Sequence, residues 1–173
     1  MDVDDVVIGK EFLGEELLLW LWYRTDVDEA RFRVDEDVVE VSFDDSLVLV
    51  ASLAETEQSR LKGGAPAQSP EAYKALQFGK RVSKAKLRLL KGEKEWVFVF
   101  DAQTFRKSGV KLPGLVKKDE DSRLSERMYL IEELDGAWNA IYRAFLEDRI
   151  GDAWPAVHAR MRDWIAEPIA GEG

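Results

Sequence analysis

Three cations stand at alternate positions in GKRVSKAKLRLLKG, residues 79–92: Lys84, Lys86 and Arg88, with Ala85, Leu87 and Leu89 between or beside them. On an extended chain successive side chains point to opposite faces, so the charges form one row about 7 Å apart and the apolar residues take the other side. Lys80 and Arg81 precede the row, and Lys74 lies a few residues upstream. Such a row neutralises phosphates without reading bases, which predicts sequence-tolerant and salt-sensitive binding to nucleic acid. The competing reading is a solvated strand face, or an edge strand whose lysines discourage pairing with another sheet.

The other reactive residues offer less. Carboxylates cluster at Asp2/Asp4/Asp5, Asp35/Glu36/Asp37, Asp44/Asp45 and Asp119/Glu120/Asp121. A metal-dependent nuclease needs two or three acids converging on a divalent ion, and Asp44, Glu55 and Asp101, each near a strand end, are the set that could do so. Most of the clusters fall in turns or at the terminus, where solvated acids are ordinary. His158, the one histidine, lies on the polar flank of a C-terminal helix and has no evident partner for general-base work. No P-loop, GxGxxG or GxSxG motif is present. With no cysteine, disulfides, thiolate metal sites and cysteine nucleophiles are excluded together. The expectation is a protein without catalytic residues, metal or cofactor.

These residues are positioned by readable elements. The spacing in KEFLGEELLLWLWYR, 10–24, predicts a helix with Phe12, Leu13, Leu17, Trp20 and Leu21 on its apolar face. RFRV at 31–34 and VVEVSF at 38–43 read as strands joined through Asp35-Glu36-Asp37, and LVLVASLA at 47–54 as a third strand. KGGAPAQSP, 62–70, is loop. A helix follows with Ser69 as N-cap and Pro70 at its first position, closing at Phe78-Gly79. The basic strand 82–90 turns at Lys91-Gly92-Glu93 into EWVFVFD, 95–101, as a hairpin, and SGVKLPG at 108–114 is loop or a short edge strand.

After a charged linker, 117–122, a long helix is expected from Ser122 or Arg123 to about Ile150, with Leu124, Met128, Ile131, Trp138 and Phe145 along its stripe. A last helix, 153–166, tolerates Pro155 in its first turn. Trp20, Trp96, Trp138 and Trp164 fall at core positions rather than forming a stacking platform for single strands; Trp22 and Trp154 fit neither pattern. The order predicts an α+β fold, an antiparallel sheet with helices packed on one side and a helical carboxy-terminal segment. One domain is expected over 1–173, with an α+β lobe at 1–117 and the helical segment at 118–173.

Composition fits a folded chain of 173 residues that is 46% hydrophobic with six tryptophans. LLLWLWY at 17–23 is too short to span a bilayer, so no membrane partner and a cytoplasmic location are expected. Charge is segregated. Residues 1–57 hold 4 basic and 17 acidic side chains, residues 60–91 hold 9 basic and 1 acidic, and the whole chain has a formal charge of -9. This points to a local anion-binding surface, or to a basic segment that serves as counter-charge for an acidic interaction module.

The stretch SPEAYKALQFGKRVSKAKLRLLKGEKEWVFVFD resembles part of the carboxy-terminal half of RdgC, the bacterial recombination-associated DNA-binding proteins. There a Ser-x-Glu helix runs into a Gly-Lys-x-Val-x-Lys strand, and the next strand ends in aspartate. EFLGEELLLWLWYR is similar to that family's Trp-bearing helix, and the helix from Arg123 to Glu147 to its carboxy-terminal helix. The resemblance implies sequence-nonspecific binding of double-stranded DNA, a dimeric ring with a basic inner surface, and restriction of RecA-type recombinases. It implies DNA-facing roles for Lys80 and Lys84, and a homodimer or a separate partner subunit to complete the ring, at the nucleoid. Where the family is lysine-rich just upstream, this chain has LVLVASLAE, without a basic residue.

Overall fold

The computed structural model describes residues 3–51 and 54–169, with side chains from 13 to 51 and from 59 to 169. Helix α1 (Val3–Asp26) leads into strands β1 (Arg31–Val34), β2 (Asp37–Ala51) and β3 (Ala54–Lys62). A 3-10 turn (Pro66–Gln68) and α2 (Pro70–Gln77) precede β4 (Lys80–Lys91), β5 (Lys94–Asp101) and β6 (Arg106–Lys111). The chain ends in α3 (Glu120–Ile150) and α4 (Trp154–Ala166). The six strands form one antiparallel sheet in the order β1-β2-β4-β5-β6, with β3 pairing the second half of β2. The α+β architecture is the expected one. Among the described residues no helix is long and apolar enough to cross a membrane.

The alternation of β4 decides which face is covered. Val82, Ala85, Leu87 and Leu89 are buried, as are Trp96, Phe98 and Phe100 of β5 and Val39, Val41, Leu47 and Leu49 of β2. Against them lie Leu17, Trp20 and Leu21 of α1 and Leu134, Trp138, Ile141 and Phe145 of α3. The Trp138 ring is 4.8 Å from Phe100 and 5.5 Å from Phe98, centroid to centroid. Each large side chain removed from water contributes roughly 1.5–3 kcal/mol, so this face accounts for most of the driving force. Buried indoles keep their N–H groups satisfied: Trp22 Nε1 donates to the Ala67 carbonyl at 2.9 Å and Trp96 Nε1 to that of Leu130 at 3.0 Å. Trp22 thereby belongs to the core. Trp154 is half-buried between Phe145 and His158.

One close approach explains a glycine within a helix. At Gly14 of α1 a Cβ would lie 2.8 Å from the Ala102 carbonyl carbon and 2.9 Å from its Cα. Only a residue without Cβ lets α1 rest on the chain as it leaves β5.

Several elements differ from expectation. The runs 38–43 and 47–51 are one strand, β2, because Asp44-Asp45-Ser46 form a bulge instead of a break. Residues 54–62 form β3, which extends into the start of the expected loop; AETEQSRLK lacks apolar alternation, and its pairing with β2 supplies the order. Helix α3 starts at Glu120, inside the expected linker, since Asp119 caps it by accepting from Ser122 N at 3.0 Å. Ser69 caps α2 as expected, accepting from Ala72 N at 3.3 Å. The first part of the α3 stripe is not core: Leu124, Met128 and Ile131 are 56%, 57% and 45% exposed, and burial begins at Leu130. The buried face of α3, centred on Leu130, Leu134, Ala137 and Ile141, is rotated away from these three, so Ile131 is exposed beside buried Leu130. The side chains of Phe12 and Glu55, and residue Leu53, lie outside the described residues.

Candidate functional site

Antiparallel partners share a face, so the register fixes what the uncovered side of the sheet presents. Arg60 of β3 pairs with Val48 of β2, Val48 with Lys84 of β4, Lys84 with Asp101 of β5, and Asp101 with Arg106 of β6. One row thus crosses five strands, with a cation at every second position, about 10 Å apart. Lys62, opposite Ser46, extends it on β3. Arg60, Lys62, Lys84 and Asp101 surround a depression of 330 Å³ whose floor includes Val48, Val50 and the buried Ser83. The Lys84 ammonium is 3.6 Å from Asp101 Oδ2, while Asp101 Oδ1 accepts from the Gln103 and Thr104 amides at 2.9 and 3.3 Å. Among the described residues, three cations and one carboxylate line this depression.

At the other end of the same face the cations are held by carboxylates. Lys86 lies 3.0 Å from Asp45 and 3.6 Å from Asp44; Arg88 lies 2.9 Å from both Asp44 and Glu95. Burial opposes ionisation of Asp44, but the hydrogen bond and charge of Arg88, with Lys86 behind it, hold its carboxyl below the usual range. The hydrogen bond to Asp45 raises Lys86, and that to Asp44 raises Arg88. Lys91, paired with the buried Val39 on the helix side, lies 3.5 Å from Asp37 and 3.8 Å from Glu133 of α3.

The six basic residues singled out in the sequence do not form one surface. Lys84, Lys86 and Arg88 share the open face. Lys80 pairs with Ala51 on the helix side and donates to Ser59 Oγ at 2.7 Å. The strand slips by one residue between Val82 and Lys84, which brings Val82 and Lys80 to the helix side. Arg81 reaches Glu15 of α1 at 3.3 Å and lines a separate hollow with Glu16, Lys80 and His158. Lys74 is exposed on α2. Arg60, Lys62 and Arg106 were not anticipated as part of the open face. Their signal was positional only, basic residues two apart in SRLK and a cation after the β5 turn, and it required the pairing to become legible.

For metal chemistry, Asp44 and Asp101 are separated along the sheet and each faces a different lysine. Among the described residues no three His or acidic side chains gather to hold an ion. His158 is exposed, its ring 5.8 Å from that of Trp154. No family model, no curated protein and no solved structure matches this chain.

Proposed function

We propose that this chain is a non-enzymatic protein that binds double-stranded DNA without sequence preference and, in the manner of the RdgC proteins it resembles, restricts access of a RecA-type recombinase to the duplex. The observation that carries this reading is the cationic row across the helix-free face, Arg60, Lys84 and Arg106 with Lys62 beside it, in a chain whose formal charge is -9. Phosphates lying along that row are neutralised by point charges, with no bond made or broken. A homodimer or a separate subunit bringing a second basic face would enclose the duplex, in the cytoplasm at the nucleoid.

The test is fluorescence anisotropy with a 30-bp duplex across a salt series. Four phosphate contacts give a slope of log affinity against log salt near −3.6, a loss of about 150-fold between 50 and 200 mM salt. Changing Arg60→Gln with Lys84→Gln is expected to lower the slope by about 1.8 and to weaken duplexes of different sequence alike. A flat salt dependence overturns the reading.

A second reading rests on a specific contact set. Lys86 and Arg88 are held by Asp44, Asp45 and Glu95, as they would be if the basic strand were counter-charge within an acidic interaction module. That protein leaves duplex DNA unshifted at moderate salt and is retained by a basic partner.

A further inference from the structure

Between the paired positions Phe43–Leu87 and Leu47–Ala85, β4 contributes only Lys86, while β2 contributes Asp44, Asp45 and Ser46. A regular strand would place successive residues on opposite faces, and neighbouring acids could not both meet one lysine. The bulge removes that restriction, and both carboxylates converge on Lys86, with Asp44 also taking Arg88. The bulge is itself fixed, because Gly63 N donates to the Asp45 carbonyl at 2.8 Å. Bulges commonly re-aim side chains at functional surfaces. Two acids are thus held where phosphates would otherwise meet the middle of the β4 row.

Resting on the DNA-binding reading above, we propose that Asp44 and Asp45 are a built-in competitor for phosphate. They occupy Lys86 and Arg88 and shift the nucleic-acid footprint away from the middle of β4, toward Lys62, Lys84 and Arg106. The duplex is held weakly and reversibly, as a protein that must yield DNA to other machinery requires. Binding to the full row needs these ion pairs to exchange, and any event that draws the bulge away from β4 tightens the grip on DNA.

The test compares the unaltered protein with Asp44→Asn/Asp45→Asn on the same 30-bp duplex across the salt series. Releasing two cations is expected to steepen the slope by about 1.8, which is about 60-fold tighter binding at 0.1 M salt counted from a 1 M reference without counterion release. Glu71→Gln/Glu132→Gln, on exposed positions of α2 and α3, makes the same change in net charge away from the face and is expected to leave the slope unchanged. If the double asparagine variant loses its native circular dichroism, Asp45→Asn alone, which frees part of the grip on Lys86, is expected to steepen the slope by up to about 0.9.

Equal slopes for the unaltered protein and the Asp44/Asp45 variant overturn the competitor while leaving the DNA-binding reading intact. Equal gains in the Glu71/Glu132 control also overturn it, since net charge then suffices. Absence of binding by every variant overturns both. Binding by the Asp44/Asp45 variant alone supports the competitor and makes its block complete.

Discussion

Gly14 and Gly136 lie inside helices, and the structure assigns opposite signs to the same substitution at each. In an exposed helix interior Gly→Ala normally stabilises by about 0.5–1 kcal/mol, through the lost freedom of the unfolded chain. Gly136 of α3 meets that condition, since nothing lies within 4 Å of the added Cβ. Gly136→Ala is therefore expected to raise Tm by about 1–4 °C for a chain of this size. At Gly14 the added methyl meets the Ala102 backbone, which cannot rotate away as a flexible side chain would. Overpacking of this kind costs about 1–3 kcal/mol, which outweighs the helix-propensity gain and leaves Gly14→Ala net destabilising by up to about 2 kcal/mol. The expected Tm is about 2–8 °C lower. Thermal melts by circular dichroism, with urea unfolding to confirm an unchanged m-value, read both variants on one scale. If Gly14→Ala is stabilised as much as Gly136→Ala, α1 does not rest on Ala102 and the placement of the first helix is refuted.

Two further predictions concern ionisable groups that join elements. Glu133 of α3 has a side chain only 8% exposed and meets Lys94 at 2.8 Å and Lys91 at 3.8 Å, tying the helix to the β4–β5 hairpin. Burial resists its ionisation, but the hydrogen bonds from Lys94 and Tyr129 and the two lysine charges prevail, so its carboxyl titrates below the ordinary value. A lowered folded pKa means stability that is present above the unfolded value and is lost as pH falls through the folded one. Glu133→Gln is expected to cost about 1–3 kcal/mol at pH 7 and to flatten the acid limb of a urea-stability profile; an unchanged acid limb contradicts the pairing. Tyr73 donates to Asp26 at 2.6 Å, and burial followed by that carboxylate pushes its phenol well above the ordinary range. A raised folded pKa gives stability that is full below the unfolded value and falls as pH rises toward the folded one. Tyr73→Phe is expected to cost about 1 kcal/mol at neutral pH and to remove one late-titrating tyrosine from the alkaline absorbance titration; loss of an early one instead refutes the contact.

What the sequence reveals depends on whether order comes from local pattern or from pairing. Ser69-Pro70 announced α2 because a side-chain cap and a fixed φ act within a few residues. The β4–β5 hairpin was legible because LRLLKGEKEWVFVF carries its own alternation around a glycine turn with φ +62. β3 was not, because AETEQSRLK owes its extended form to pairing with β2 rather than to its own pattern. The α3 stripe misled for a related reason: apolar spacing shows that Leu124, Met128 and Ile131 share a side, but not that the sheet packs against a neighbouring side that includes Leu130. The site suffered most. Parity along β4 correctly grouped Lys84, Lys86 and Arg88, yet it could not foresee the slip near Ser83 that sends Lys80 to the other face.

The charge of the whole chain is a poor guide to what the open face attracts. Helices and sheet pack at layer spacings of about 10 Å, which is also the screening length near 0.1 M salt. Acids on α1 and α3 therefore act on a ligand at the open face through the full thickness of the sheet and at least one screening length. Asp44, Asp45 and Glu95 act at contact distance on the same face. On the proposed DNA-binding reading, the balance between attraction and rejection of a phosphate is thus set within the sheet, by which carboxylates the β2 bulge brings to β4. Lys62 of β3 and Arg106 of β6 lie outside the reach of that bulge. A row of alternating lysines alone does not define a phosphate-binding strand; the strands on either side determine which of its charges remain available.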